Sequence, residues 1–214
     1  MKHLVIAFCA LLLAGCLHAQ DLKVIKLSPP AKTGGQPLMK VFNNRKSDRT
    51  FAPDKLKLQD LSDLLWAANG INREDGKRTA PSAMNVQDVD VYVVMEEGAY
   101  LYDAKQHALQ PVAPGDHRGA VAGGGQDFVK SAPVSLVLVS DLSRLSKKAI
   151  DEGTKLMGAV DVGIVCQNIN IACAGLGLAT VPRASMDQKT LKTVLKLTDS
   201  HLLLMNNPVG YPKK

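Results

Sequence analysis

The stretch Ser146–Leu178, SKKAIDEGTKLMGAVDVGIVCQNINIACAGLGL, constrains this 214-residue chain more than any other. Its apolar residues recur at helical spacing and predict one long helix in two halves. In the first half Lys147, Lys148, Asp151, Glu152 and Lys155 form a wet face, with Ile150, Leu156, Met157 and Val160 on the apolar one. After Asp161 the charges stop. From Val162 to Leu178 only Gln167, Asn168 and Asn170 are strongly polar, so this half has no solvated face and is expected to be buried all round. It is too short and too polar to span a bilayer. A helix covered on every side sits at the centre of a large domain or between two subunits. The modest size of the chain favours the second. Gly163, Ala172, Ala174 and Gly175 would let a partner helix approach closely, although glycine weakens a helix relative to alanine.

The first twenty residues read as an export signal. Lys2 and His3 precede the apolar run Leu4–Leu13, and Ala14, Gly15 and Cys16 follow. Leu13-Ala14-Gly15-Cys16 has the form of a bacterial lipobox, whose cysteine would carry a lipid anchor. Leu17-His18-Ala19 before Gln20 offers an ordinary cleavage site instead. The expectation is an exported bacterial protein, either periplasmic or a membrane-anchored lipoprotein. Without residues 1–20 the formal charge falls from +6 to +5, because that segment holds Lys2 and no acid. This mild basicity, without Arg/Lys runs or interleaved aromatics, argues against nucleic acid and suits a small anionic ligand. Cys166 and Cys173, seven residues apart on one helix, lie roughly 10 Å apart by helix rise, too far for a disulfide. They read as small core residues.

The rest of the chain has a legible order. Residues 21–37, with Pro29, Pro30, Gly34 and Gly35, form an extended arm, and the domain proper runs from 38 to 214. Leu38–Asn43 has helical spacing. A second helix, Leu58–Ala68, buries Leu58, Leu61, Leu64, Leu65 and Trp66 and stops at an Asn69-Gly70 cap. Asn72–Asn85 is a loop. Val89–Met95 and Ala99–Tyr102, joined at Glu97-Gly98, make a hairpin, and Pro111–Gly125 is a glycine-rich loop. Val134–Val139 is expected to be a central strand covered on both faces. Beyond the long helix come a short helix, Met186–Leu195, and a last strand, His201–Met205. Helices, hairpin, strand, long helix and strand make an α+β class rather than a βαβ alternation.

Arg45, Lys46, Ser47 and Arg49 put three cations and a hydroxyl within five residues. A guanidinium grips phosphate through two parallel hydrogen bonds, so the cluster is a candidate phosphate or flavin-edge site. A solvated basic face has the same composition. Pro208–Lys214 adds two cations on a stiff tail. Other chemistry is missing from the sequence. His107, His117 and His201 lack metal-ligand spacing, there is no G-x-S-x-G elbow, and Gly123-Gly124-Gly125 is not followed by the Lys-Ser/Thr of a phosphate-binding loop.

Five segments in order together resemble the nitroreductase superfamily of FMN-dependent oxidoreductases, especially its short SagB-type members. They are Asn44–Phe51, Leu64–Gly70, Thr79–Gln87, Gln167-Asn168 with Gly175–Leu178, and Pro208–Pro212. The resemblance implies a central, mostly antiparallel sheet flanked by helices, in an intertwined homodimer with two FMN sites at the subunit interface. It gives Arg45, Lys46, Ser47 and Arg49 contacts to the FMN phosphate, ribityl chain and pyrimidine edge. It brings Pro81, Ser82, Ala83, Met84 and Asn85 from the other subunit onto the isoalloxazine. Lys213 and Lys214 would complete the phosphate site, and Gln126 is a further candidate for the flavin's polar edge. Many members carry Glu-Gly after the strand that follows the long helix, with a backbone N–H facing flavin N5. Here the stretch is Pro182-Arg183-Ala184-Ser185, so Ala184 would supply that donor while Arg183 alters the pocket.

The implied reaction passes electrons from NAD(P)H or another reductant through flavin N5 to a small electron-poor acceptor, a nitroaromatic or a quinone. The flavin carries the chemistry, which accounts for the lack of an acid/base constellation. Free NAD(P)H is expected to be scarce outside the cytoplasm, which leaves another carrier open as the donor. The alternative reading is an exported flavin-binding or interaction lipoprotein without turnover.

Overall fold

A computed structural model describes residues 21–213; residues 1–20, on which the expected export signal and Cys16 fall, and Lys214 lie outside them. Seven strands form one sheet: β1 (Ile25–Lys26), β2 (Val89–Met95), β3 (Gly98–Asp103), β4 (Ala108–Pro114), β5 (Val134–Asp141), β6 (Ala179–Thr180) and β7 (His201–Gly210). Their order is β1-β4-β3-β2-β5-β7-β6, and every neighbouring pair is antiparallel. Six α-helices accompany it among the described residues: α1 (Leu38–Asn44), α2 (Leu58–Asn69), α3 (Arg118–Ala122), α4 (Leu142–Leu145), α5 (Glu152–Leu176) and α6 (Gln188–Val194). The class is α+β, as the sequence predicts.

The two-residue period of the strands divides the core into two layers. Val89, Val91 and Val93 of β2, with Leu136 and Leu138 of β5, pack under α2 and α5. Tyr92, Val94, Val137 and Val139 face the other way, onto α3 and α6 through Val121, Ala122 and Leu191. β5 is buried over seven of its eight residues and sits inside the sheet, in agreement with its apolar run. Each leucine sealed there, such as Leu64, Leu136 or Leu138, contributes roughly 1.5–3 kcal/mol of burial.

Several expectations need correction. The long helix does not begin at Ser146. After the single turn of α4 the chain stays non-helical to Asp151, whose carboxylate caps α5 by accepting the Thr154 N–H at 2.8 Å. Nor is its second half enclosed within one chain: Gly163 and Gln167 are exposed, and the expected apolar face at Leu156, Met157 and Val160 is open, while Gly158 and Asp161 are buried. At 25 residues and with a mean hydropathy of 1.4 over its most apolar window, α5 taken whole is long and apolar enough to cross a bilayer, whereas the sequence reading concerned only its half from Val162 on. Its buried Asp161 and Asn170 and its packing on the sheet make it a core helix here.

Leu58 is exposed rather than buried, and Trp66 is half-buried. Pro111–Gly125 contains most of β4 and all of α3 instead of a loop. The arm contributes β1, and the last strand runs on to Gly210, taking in what reads as tail. Gly70 ends α2 without the left-handed conformation of a glycine cap, at φ −79°. Glycine is needed there for space: a Cβ would meet the Trp66 Cα and carbonyl oxygen at 2.7 Å, and backbone cannot step aside. Gly70→Ala is therefore expected to cost about 1–3 kcal/mol, read as a lowered denaturation midpoint with an unchanged slope.

Candidate functional site

The basic segment Arg45–Arg49 leaves α1 and crosses to the edge strand of the sheet. The Asp48 N–H donates to the Thr180 carbonyl at 2.9 Å, Lys213 donates from its backbone to the Thr50 carbonyl at 3.4 Å, and Phe51 bridges Pro212. These contacts put the segment, the β6 end and Lys213 side by side. Lys46 pairs with Asp48 at 3.3 Å. Burial opposes ionisation of Asp48, but the Thr50 hydroxyl and N–H and the Lys46 ammonium outweigh it and hold its carboxyl below the usual range. Among the described residues, neither Arg45 nor Arg49 is within ion-pair distance of a carboxylate. A cleft of about 240 Å³ opens here between Asn44, Lys46, Asp48, Asn170, Gly177 and Thr180. That is below the ~300–1,000 Å³ typical of a small-molecule site.

The second predicted segment, Pro81–Asn85, lies elsewhere. Met84, Asn85 and Gln87 all have φ between 50° and 55°, a left-handed backbone that costs non-glycine residues about 1–2 kcal/mol each. The loop is held in that shape from outside. The Ala83 N–H donates to the Asp161 carboxylate at 2.9 Å, Gln87 N–H to the Ser82 hydroxyl at 2.8 Å, and Arg144 and Arg78 hold the Gln87 carbonyl and amide at 2.9 and 3.0 Å. Met84 is left 79% exposed. Strained backbone fixed by several external bonds is a common mark of a ligand-facing loop.

Asp161, which holds that loop, is itself buried beside Asp88. Asp88 accepts from the Ser140 hydroxyl, and its Oδ1 has no donor partner among the described residues. Burial raises its pKa, the Ser140 bond acts in the opposite direction and Asp161 adds to the rise, with a net value of about 6. The folded-state pKa lies above the unfolded one, so the native state binds the extra proton. Stability from this group is greatest below about pH 4 and is lost as pH rises through about 6. Asp88→Asn, which removes the ionisation and offers Asp161 an N–H, is expected to stabilise the protein by about 2–3 kcal/mol at pH 8. The gain should vanish towards pH 4, a dependence that thermal melts across the pH range will read.

Gln126 and Ala184 meet around Arg183. The Arg183 backbone exchanges two hydrogen bonds with Asn206 of β7, at 2.9 and 2.7 Å, which leaves Ala184 and Ser185 exposed. Its side chain turns inward. The guanidinium donates to the Gln126 side-chain oxygen at 2.9 Å, to the Val121 and Ala122 carbonyls at 3.1 and 2.9 Å, and to the Asn206 side chain at 2.7 Å. Gln126 thus has its oxygen committed to Arg183.

A separate cavity of about 320 Å³, floored by Ile25, Leu56, Leu61, Met95 and Leu109, contains none of the predicted residues. The cations at its rim, Lys55 and Arg118, are paired with Glu97 and Asp116.

One chain therefore brings together Arg45–Arg49, Thr180 and Lys213, while Ala184 sits beside the Arg183–Asn206 pairing and Pro81–Asn85 lies elsewhere. The loop is tied to Asp161 and the cleft reaches Gly177, about 24 Å further along α5 by helix rise. Sequence reasoning missed Asp88, Asp161, Arg144 and Arg183 as supports. Asp161 was visible as the last charge before the apolar half of α5, and Arg183 as a departure from the family's Glu-Gly, though not as a support; Asp88 and Arg144 gave no local signal.

The model of the Nitroreductase family matches residues 43–211. A provisionally named nitroreductase of Methanocaldococcus jannaschii is 32% identical over 178 residues, which are 79% of this chain and 88% of that protein. The FMN reductase [NAD(P)H] of Bacillus subtilis is 24% identical over 188 residues, 82% of this chain and 66% of that one. Among solved structures, a provisionally assigned nitroreductase of Ralstonia eutropha JMP134 superposes with a TM-score of 0.83 at 34% identity, covering 91% of this chain and 92% of the other.

Proposed function

The chain belongs to the nitroreductase family, and on that premise we propose that it is an exported, homodimeric FMN-dependent oxidoreductase. It takes electrons from NAD(P)H or another reduced carrier and delivers them to a small electron-poor acceptor of the nitroaromatic or quinone type. Flavin, when bound, supplies the two-electron chemistry, and the chain supplies binding, orientation and positive charge.

The residues suit such a cofactor. Arg45 and Arg49, unpaired with any described carboxylate, hold the phosphate and the anionic edge, with the Ser47 hydroxyl and Lys213 beside them. The exposed backbone at Ala184, fixed through the neighbouring Arg183–Asn206 pairing, offers an N–H to the ring. The Pro81–Asn85 loop of a second copy covers the ring and keeps water out.

The observation that carries this reading is the separation of the two segments along α5. Leu156, Val160, Gly163, Gln167, Ile171 and Ala174 recur at three- and four-residue spacing, and none of them is buried. They make an unfilled stripe along the helix. A Cβ on Gly163 would meet nothing within 4 Å, so a second helix can approach closely there. A twofold pairing of α5 with its own copy, antiparallel about this stripe, brings the strained loop of one chain to the basic segment of the other. Leu38, Met39 and Phe42 on α1 extend the apolar surface that such a dimer would cover.

The test is direct. Purified protein should be yellow and dimeric, release FMN on heating, and lose its visible absorption when NADH is added without oxygen. A colourless monomer indifferent to added FMN overturns the proposal; a yellow protein that NADH leaves unbleached limits it to another donor or to flavin binding alone.

A further inference from the structure

Arg183 is 7% exposed and, among the described residues, has no carboxylate within ion-pair distance. Its acceptors are two backbone carbonyls at the end of α3 and two side-chain amides, all uncharged, with the Phe128 ring 5.7 Å from the guanidinium carbon. Asp187, the acid nearest in sequence, caps α6 by accepting from Thr190, and Asp127, next to Gln126, pairs with Lys130. Burial alone depresses its pKa, with no acidic neighbour acting against it, and a guanidinium remains charged in proteins.

A buried charge without a counter-charge is costly to keep. Helix-end carbonyls offset part of that cost and supply only partial charge. The chain leaves this arginine through Ala184 and Ser185, both exposed, and on them the flavin reading places the ring. Given that reading, we propose that Arg183 is a positioning and potential-setting residue: its unbalanced charge favours the reduced, anionic flavin over the oxidised one, and its fork fixes the segment that presents the Ala184 N–H.

The proposal differs from the phosphate role of Arg45 and Arg49, because Arg183 acts from inside the fold and touches no ligand atom. It also explains why Gln126 faces inward. A neutral amide orients the guanidinium without cancelling its charge, as a carboxylate would.

The experiment compares midpoint potentials of bound FMN by titrating the holoprotein with dithionite against a reference dye. In Arg183→Met the preference for reduced over oxidised flavin is expected to fall at least about tenfold, a shift of about 30 mV to more negative potential for a two-electron couple. Arg183→Lys, which keeps the charge and loses the fork, should recover more than half of that shift. Gln126→Glu sets a carboxylate against Nε and should lower the potential as Arg183→Met does; it decides the question alone if Arg183→Met does not fold. Potentials unmoved in flavin-bound Arg183→Met or Gln126→Glu overturn the proposal, even if thermal stability drops, because a purely structural arginine would change stability and leave the potential in place. Wild-type protein that takes up no FMN overturns the flavin reading itself, a failure visible before any variant is made.

Discussion

Arg45→Ala should release FMN into the filtrate when the protein is washed on an ultrafiltration membrane, with affinity weakened roughly 30- to 150-fold. The figure follows from removing a charge-assisted, two-pronged grip on a phosphate, worth about 2–3 kcal/mol. Arg45 caps α1 through its backbone N–H, a bond that alanine retains, and its half-buried side chain makes no described ion pair. The substitution should therefore leave the melting curve of the flavin-free protein within about 0.5 kcal/mol of wild type. Arg45→Lys keeps the charge and loses the planar fork, so it should fall between the two. Lys46→Ala serves as the contrast. Its ammonium already pairs with Asp48, so its loss should weaken binding far less. Full retention of flavin by Arg45→Ala, measured by equilibrium dialysis, would remove this residue from the site.

Much of this arrangement could be read from the sequence because the signals were local. The Val134–Val139 run has no polar residue to solvate except Ser135, and it became an interior strand. The turn at Glu97-Gly98 sits between two β-rich runs and became a hairpin. What escaped was set by partners distant in the chain. Pro111 and Pro114 argue against a strand, yet β4 holds them, because its outer neighbour β1 pairs at only two residues and few N–H donors are needed on that side. Pro208 likewise enters β7 opposite Ser135. The Asp151-x-x-Thr154 pair was a local capping signal that marks the true start of α5. Asp88 and Asp161 lie 73 positions apart and meet only because α5 lies across β2 and β5. The cations at 45–49 were legible for the opposite reason: their chemistry is crowded into five residues, though nothing local distinguishes a phosphate grip from a wet face.

The same logic explains the apolar residues of α5 that point at water in one chain, and it yields the second large expectation: Val160→Asp should break the dimer and remove the flavin with it. Val160 is 50% exposed and lies on the unfilled stripe with Leu156 and Gly163, so a carboxylate there is harmless to an isolated chain. In an antiparallel pairing it becomes a charge buried against apolar side chains, at a cost of several kcal/mol. A penalty of about 3 kcal/mol raises the dissociation constant of the dimer by roughly two orders of magnitude. Light scattering should then report a monomer, with far-ultraviolet dichroism and the melting of the separated chain preserved. Flavin should leave in the same step, since a monomer keeps Arg45–Arg49 and loses the loop of the other copy. Glu152→Lys, an equally drastic change of charge on the exposed first turn of α5, should alter neither mass nor colour. A Val160→Asp protein that stays dimeric and fully yellow would place the contact on another face, and the strained loop would then have to reach the basic segment by some route other than the pairing of α5.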